Sequence, residues 1–83
     1  MCYYKDKICD EFMDAKSYLY KAEAVKDTDK ELSDTLKSIC EQELSHAMLI
    51  YKAATKRAVD IDKLWFASEY NSIKSQIEDY SKF

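Results

Sequence analysis

The chain contains no glycine and no proline. β-Proteins of this length place one or both at their turns, because glycine supplies positive φ and proline a preset φ. Their joint absence excludes a tight-turned sheet and points to helices joined by short polar loops. Long apolar runs are missing too: the longest, Ala47-Met-Leu-Ile-Tyr51, is far too short to span a bilayer. The first residues show no basic start followed by an apolar run, so no secretory leader is expected. The cysteines, Cys2, Cys9 and Cys40, are odd in number and lack CxxC spacing. That argues against a disulfide framework or a zinc knuckle and for free thiols in a reducing compartment, so a cytoplasmic location is expected. Basic residues form no cluster along one face and the net charge is −3. Neither nucleic acid nor membrane is an expected partner.

What is present fits a globular helical domain. Of the 83 residues, 47% are hydrophobic and 35% charged, enough apolar material for one core and none to spare for two. We therefore expect a single all-α domain over residues 1–83. A chain this short buries only about 60% of the surface it exposes when unfolded, so support from metal or oligomerisation is common at this size.

Apolar spacing predicts three helices. Helix 1, about residues 4–26, carries an inner stripe of Tyr4, Ile8, Glu11, Ala15, Tyr18, Ala22 and Val25, widened by Phe12 and Leu19. Cys9, Met13 and Tyr20 add apolar surface on a further face that a lone hairpin would leave wet. Thr28 with Glu31 three residues later resembles a capping box, so helix 2 is expected over about 29–57. Its stripe is Leu32, Leu36, Ile39, Cys40, Glu43, His46, Ala47, Ile50, Ala53 and Ala54. Asp60 is the expected N-cap of helix 3, about 61–82, with Phe66, Tyr70, Ile73, Ile77 and Tyr80 at helical spacing. Adjacent apolar residues at its start and the further face of helix 1 exceed what a monomer can bury, so self-association is expected.

Two acids and a histidine interrupt stripes that should be apolar. Glu11 does so in helix 1, Glu43 and His46 in helix 2. A carboxylate on a buried stripe is costly unless paired or metal-bound. Glu43 and His46, three apart, project from one helix face. With the hairpin turn near residues 27 and 28, residue 11 comes level with residue 44, between them. Carboxylate oxygens with one imidazole suit iron, manganese or zinc. One copy offers two carboxylates and one histidine, an incomplete shell for two ions. A two-fold dimer would offer four carboxylates and two histidines, whose charge balances two divalent cations. In helix 3, Gln76 and Ile73 fall level with the cluster and Glu69 lies more than a turn away. Asp14, three residues after Glu11, reads as a solvated acid or an entry ligand.

At these residues the chain resembles the ferritin-like superfamily, especially rubrerythrin-type hairpins and encapsulated ferritins. The first-helix pattern, Glu followed seven residues later by Tyr, is matched by Glu11-Phe-Met-Asp-Ala-Lys-Ser-Tyr18. The second-helix pattern, Glu-x-x-His-Ala after acidic residues, is matched by Glu41-Gln-Glu43-Leu-Ser-His46-Ala47. The resemblance covers about residues 8–57. It implies an antiparallel ferritin-like hairpin plus a third helix, joined into a larger bundle by homodimerisation. It also implies a carboxylate-bridged di-iron centre that binds Fe(II) and reacts with oxygen or peroxide. By position, Glu11 and His46 would be terminal ligands, Glu43 the bridging one, and Tyr18 a hydrogen-bond donor to a carboxylate. Most ferritin-like proteins have four helices and two Glu-x-x-His motifs, whereas this chain has three and one. Residues 81–83 do not resemble a shell-targeting peptide, so a place as compartment cargo is not expected.

Two functions from different classes emerge. One is a metal-binding ferritin-like protein, a homodimer or larger assembly, with iron oxidation as its chemistry. The other is a metal-free helical interaction module, of phage origin for instance, presenting Trp65, Phe66 and Tyr70 to a protein partner. Ser-His-Asp catalysis has no support, since no nucleophile elbow is present.

Overall fold

The computed structural model describes residues 2–82, with side chains over residues 2–80. It consists of α1 (Tyr3–Ala24), α2 (Lys30–Lys56) and α3 (Lys63–Lys82), with no strand among the described residues. The molecule is a rod of 46 × 18 × 17 Å, its length set by α2, which alone spans about 40 Å at 1.5 Å per residue. α1 and α2 form an antiparallel hairpin. α3 returns antiparallel to α2: Phe66 near its start meets Phe12 and Tyr51, and Tyr80 near its end meets Ser33 at the hairpin turn.

The core is one continuous cluster. α1 contributes Ile8, Phe12, Ala15, Leu19 and Ala22; α2 contributes Cys40, Leu44, Ala47 and Ala54. α3 and the segment before it add Ile61, Phe66, Ile73, Ile77 and Tyr80. Four of these are alanines, which bring the helix backbones close, while each buried Ile, Leu or Phe contributes about 1.5–3 kcal/mol. The α1 and α3 stripes follow the expected spacing. On α2, Ser33 is buried where Leu32 was expected, and Leu32 stays 43% exposed.

That exchange has a physical reason at the turn. α1 ends at Ala24, two residues short of the expected Lys26, and the Lys26 amide bonds to Glu23 O rather than Ala22 O. The Ala22 carbonyl is therefore one of the orphan acceptors of a helix end. Ser33 Oγ donates to it at 2.6 Å, which a leucine could not do. With that proton committed, the Tyr80 hydroxyl donates to Ser33 Oγ, so one relay ties α3, α2 and α1 together. Lys26 Nζ donates to Tyr80 O at 3.1 Å and closes the same end.

Both expected caps shift. α2 is capped by Asp29, whose carboxylate accepts from Leu32 N, while the Thr28 hydroxyl folds back onto Val25 O. α3 is capped by Asp62, which accepts from Leu64 N and Trp65 N, rather than by Asp60. The link between α2 and α3 needs those extra residues. Val59 N bonds back to Ala54 O and Ala58 N to Thr55 O, with Ala58 at φ 57°, the left-handed stop usually made by glycine.

Position along α1 decides what α3 covers. Phe12 touches Trp65 and Phe66, and Lys16 pairs with Glu69, so α3 lies on the Phe12/Lys16 flank of the hairpin seam. At 100° per residue, Glu11 and Tyr18 fall on the other flank. The same holds on α2, where Leu44 and Met48 line grooves against α3 and Leu36, Glu43, His46 and Ile50 turn away. One face of the hairpin is thus left without a helix over it.

Candidate metal centre

On that open face Glu11, Glu43 and His46 come together, each offering one ligand atom within 4.8 Å of the others. α1 supplies Glu11 at the edge of its buried stripe, between Ile8 and Ala15. α2 supplies the other two from positions one turn apart, held against α1 by Ala47 and Cys40, both fully buried. No other group of three or more such residues converges in this way among the described residues.

Burial is uneven across the cluster. The Glu11 side chain is 16% exposed and His46 54%. The Glu11 Oε2 atom is buried and has no hydrogen-bond partner. His46 Nδ1 approaches it to 3.7 Å, an electrostatic contact too long for a hydrogen bond. An orphaned buried carboxylate oxygen is costly unless a proton or a cation satisfies it.

Desolvation is the main reason the Glu11 carboxyl is pushed up to about 7. The nearby Glu43 carboxyl and its charge raise it further, His46 opposes, and Asp14 adds a smaller push. A carboxyl that keeps its proton to near neutral pH beside a second acid must release that proton when a metal ion binds. Two carboxylates and one imidazole form a donor set of the borderline-hard kind that iron, manganese and zinc accept. The fit to such an ion rests on that donor set and on the unsatisfied oxygen.

Other residues weighed from the sequence fall out differently. Cys40 is fully buried and its thiol is raised to about 11, by burial first and then by Glu41 and Glu43, so it stays protonated. Tyr18 is half-buried with the Lys21 ammonium 5.4 Å over its ring, and no hydrogen bond joins it to Glu11 or Glu43 among the described residues. Asp14 is exposed beside the cluster. Glu69 pairs with Lys16 on the far flank, and Gln76 is exposed and bonded to Ser72, so α3 adds no ligand. Phe66 is core at 4% exposure, whereas Trp65 and Tyr70 are half-buried.

Around the cluster runs an apolar collar that sequence spacing alone did not separate from the core. Tyr4, Tyr18, Leu36, Ile39 and Ile50 are all half-buried, held partly by the hairpin and partly open. Exposed acids alone would not be framed this way. No helix among the described residues is long and apolar enough to cross a membrane.

No curated protein and no solved structure matches the chain. A protein-family model does, that of Rubrerythrin, over residues 5–81. The match takes in all of α2 and almost all of α1 and α3, and with the helical hairpin and its carboxylate–histidine cluster it places the chain in the rubrerythrin family of ferritin-like proteins.

Proposed function

We propose that this chain is a ferritin-like iron-binding protein whose Glu11, Glu43 and His46 are half of a di-iron centre. A second copy supplies the other half across a two-fold axis, and the loaded centre oxidises Fe(II). The observation that carries this reading is the buried, unpartnered Glu11 Oε2 facing Glu43 and His46 within ligand range. Manganese or zinc would satisfy the same donors, but family membership favours iron.

Ligand counting and surface chemistry support the dimer. Two carboxylates and one imidazole leave two metal ions short of donors and of negative charge. The collar of Tyr4, Tyr18, Leu36, Ile39 and Ile50 gives a second hairpin an apolar surface to pack on. α3, on the opposite flank, does not obstruct it. Pairing two hairpins this way makes a four-helix bundle with acids and histidines projecting inward.

Within such a bundle each residue has a distinct task. Glu43, able to present two oxygens, would be shared between the ions, while Glu11 and His46 would together hold one of them. Bound iron would supply electron transfer to oxygen or peroxide. The collar would exclude bulk water, and Glu11 would give up its proton as the cation arrives. Tyr18 lies on the collar, where its hydroxyl could reach a carboxylate once a second hairpin is seated.

Anaerobic Fe(II) titration with solution mass recorded at each step tests the whole reading. The expected result is one iron per chain, uptake lost in Glu43→Ala, and a solution mass that at least doubles on loading. Failure of the wild type to take up iron would leave the metal-free helical module as the function.

A further inference from the structure

A second apolar surface lies on the opposite side of α1 and does not depend on the metal reading. Positions 2, 6, 9, 13, 16 and 20 alternate by four and three, the period of a coiled-coil seam. Cys2, Cys9, Met13 and Tyr20 are its apolar members, Asp6 and Lys16 its charged ones. α3 leaves it open: Met13 is 68% exposed and Tyr20 75%. At 100° per residue the seam is centred about 180° round the helix from Glu11.

The seam is complementary to itself in one orientation only. Laid antiparallel about a two-fold axis level with residue 11, Cys2 meets the partner's Tyr20 and Cys9 meets the partner's Met13. Asp6 then meets the partner's Lys16, at both ends by symmetry. A parallel pairing would instead set Asp6 on Asp6 and Lys16 on Lys16, which is unfavourable at both positions. Beside the seam, between α1 and α3, is a cavity of about 190 Å³ lined by Cys9, Phe12, Met13, Lys16, Trp65 and Glu69. It is a hole of the kind into which a side chain from a facing helix inserts.

We propose that a second copy of this chain docks antiparallel on this outer seam of α1, seating its Met13 toward the cavity beside Cys9. Lys16 already lies 3.1 Å from Glu69 in its own chain, and its three N–H donors let it hold the partner's Asp6 as well. Because this seam and the metal cluster lie on opposite sides of α1, one copy can use both. Alternating two-fold contacts of that kind close into a ring or run on as a filament.

Site-directed cross-linking in the presence of EDTA tests the contact without involving the metal. In Cys2→Ser/Met13→Cys, mild oxidation with copper–phenanthroline removes two electrons from two thiols. A disulfide joining position 9 of one copy to position 13 of the other is expected. Adding Asp6→Lys should cut the cross-linked yield at least fivefold, and adding Lys16→Glu to that variant should restore it. Circular dichroism matching the wild type establishes that each variant is folded. Met13→Glu, at an exposed position clear of any ion pair, should separately lower the solution mass of the wild type. Links joining 13 to 13, no cross-link at all, or no rescue by the charge exchange in a folded variant would each overturn the proposal.

Discussion

His46 Nδ1 stands 3.7 Å from Glu11 Oε2, near the separation of two ligands on one ion: about 3.4 Å for bonds of about 2.1 Å at a tetrahedral angle. The gap is too wide for a hydrogen bond, and His46 is half exposed, so apo stability draws little from it. His46→Ala should therefore change the metal-free unfolding free energy by less than about 0.5 kcal/mol, as at ordinary surface sites. Iron affinity should fall at least tenfold. Urea unfolding in EDTA beside an iron titration separates the two roles; a large stability loss without an affinity loss would make His46 structural.

Glu11 dictates an unusual pH dependence. Its folded pKa, about 7, lies above the ordinary 4.5, so between those values the folded state holds more protons than the unfolded one. The stability this group contributes is then fully present below pH 4.5 and is lost as pH rises through 7. The full shift corresponds to at most about 3 kcal/mol, and solvent at the rim of the cluster reduces it. Metal binding runs the other way, because the ion needs the carboxylate free of its proton. Below pH 7 iron affinity should weaken by up to about tenfold per unit, with proton release detectable by calorimetry in buffers of different ionisation enthalpy. Glu11→Gln should flatten the apo profile, raise stability at pH 8 and abolish the proton release.

Much of this arrangement was legible in the chain itself. Removing glycine and proline leaves few folds but helices, and the turn near residues 27 and 28 sets Glu11 level with Glu43 and His46 whatever the side chains do. The flank of the hairpin that α3 covers was not legible. Glu11 and Phe12 are neighbours in sequence, and only the contacts of Phe12 with Trp65 and Phe66 show that the acids lie on the uncovered side. The caps were misplaced by one or two residues because Thr28, Asp29, Asp60 and Asp62 are all competent, and the choice depends on how the backbone exits the previous helix. Ser33 defeated the apolar pattern for a related reason: its burial satisfies the Ala22 carbonyl, a need that exists only once α1 has ended where it does.

Ala58 carries a cost that follows from the missing glycine. It sits at φ 57° at the end of α2, where a Cβ costs about 1–2 kcal/mol relative to glycine. Glycine loses more backbone entropy on folding, which offsets part of that gain. Ala58→Gly should raise stability by about 0.5–1 kcal/mol, seen as a higher urea midpoint at unchanged slope. Should it destabilise instead, Ala58 must be making packing contacts that its exposed position does not suggest.

The relay from Tyr80 through Ser33 to the Ala22 carbonyl predicts an asymmetric pair of costs. Tyr80→Phe removes one donor while Ser33 still serves Ala22, so the loss should be about 1 kcal/mol. Ser33→Ala strands the buried carbonyl and leaves the Tyr80 hydroxyl only Asp34 Oδ1, 3.5 Å away, which should cost about 2–3 kcal/mol. Once Ser33 is gone the Tyr80 hydroxyl has lost its main partner, so the double variant should be scarcely worse than Ser33→Ala. A double-mutant cycle therefore should show coupling of about 1 kcal/mol, and additive losses would refute the relay. The relay and the metal cluster lie at different levels of the hairpin, and α3 contributes no ligand. These variants should thus unfold earlier yet bind iron with unchanged affinity while folded. A drop in affinity parallel to the drop in stability would mean that α3 supports the metal cluster as well as the core.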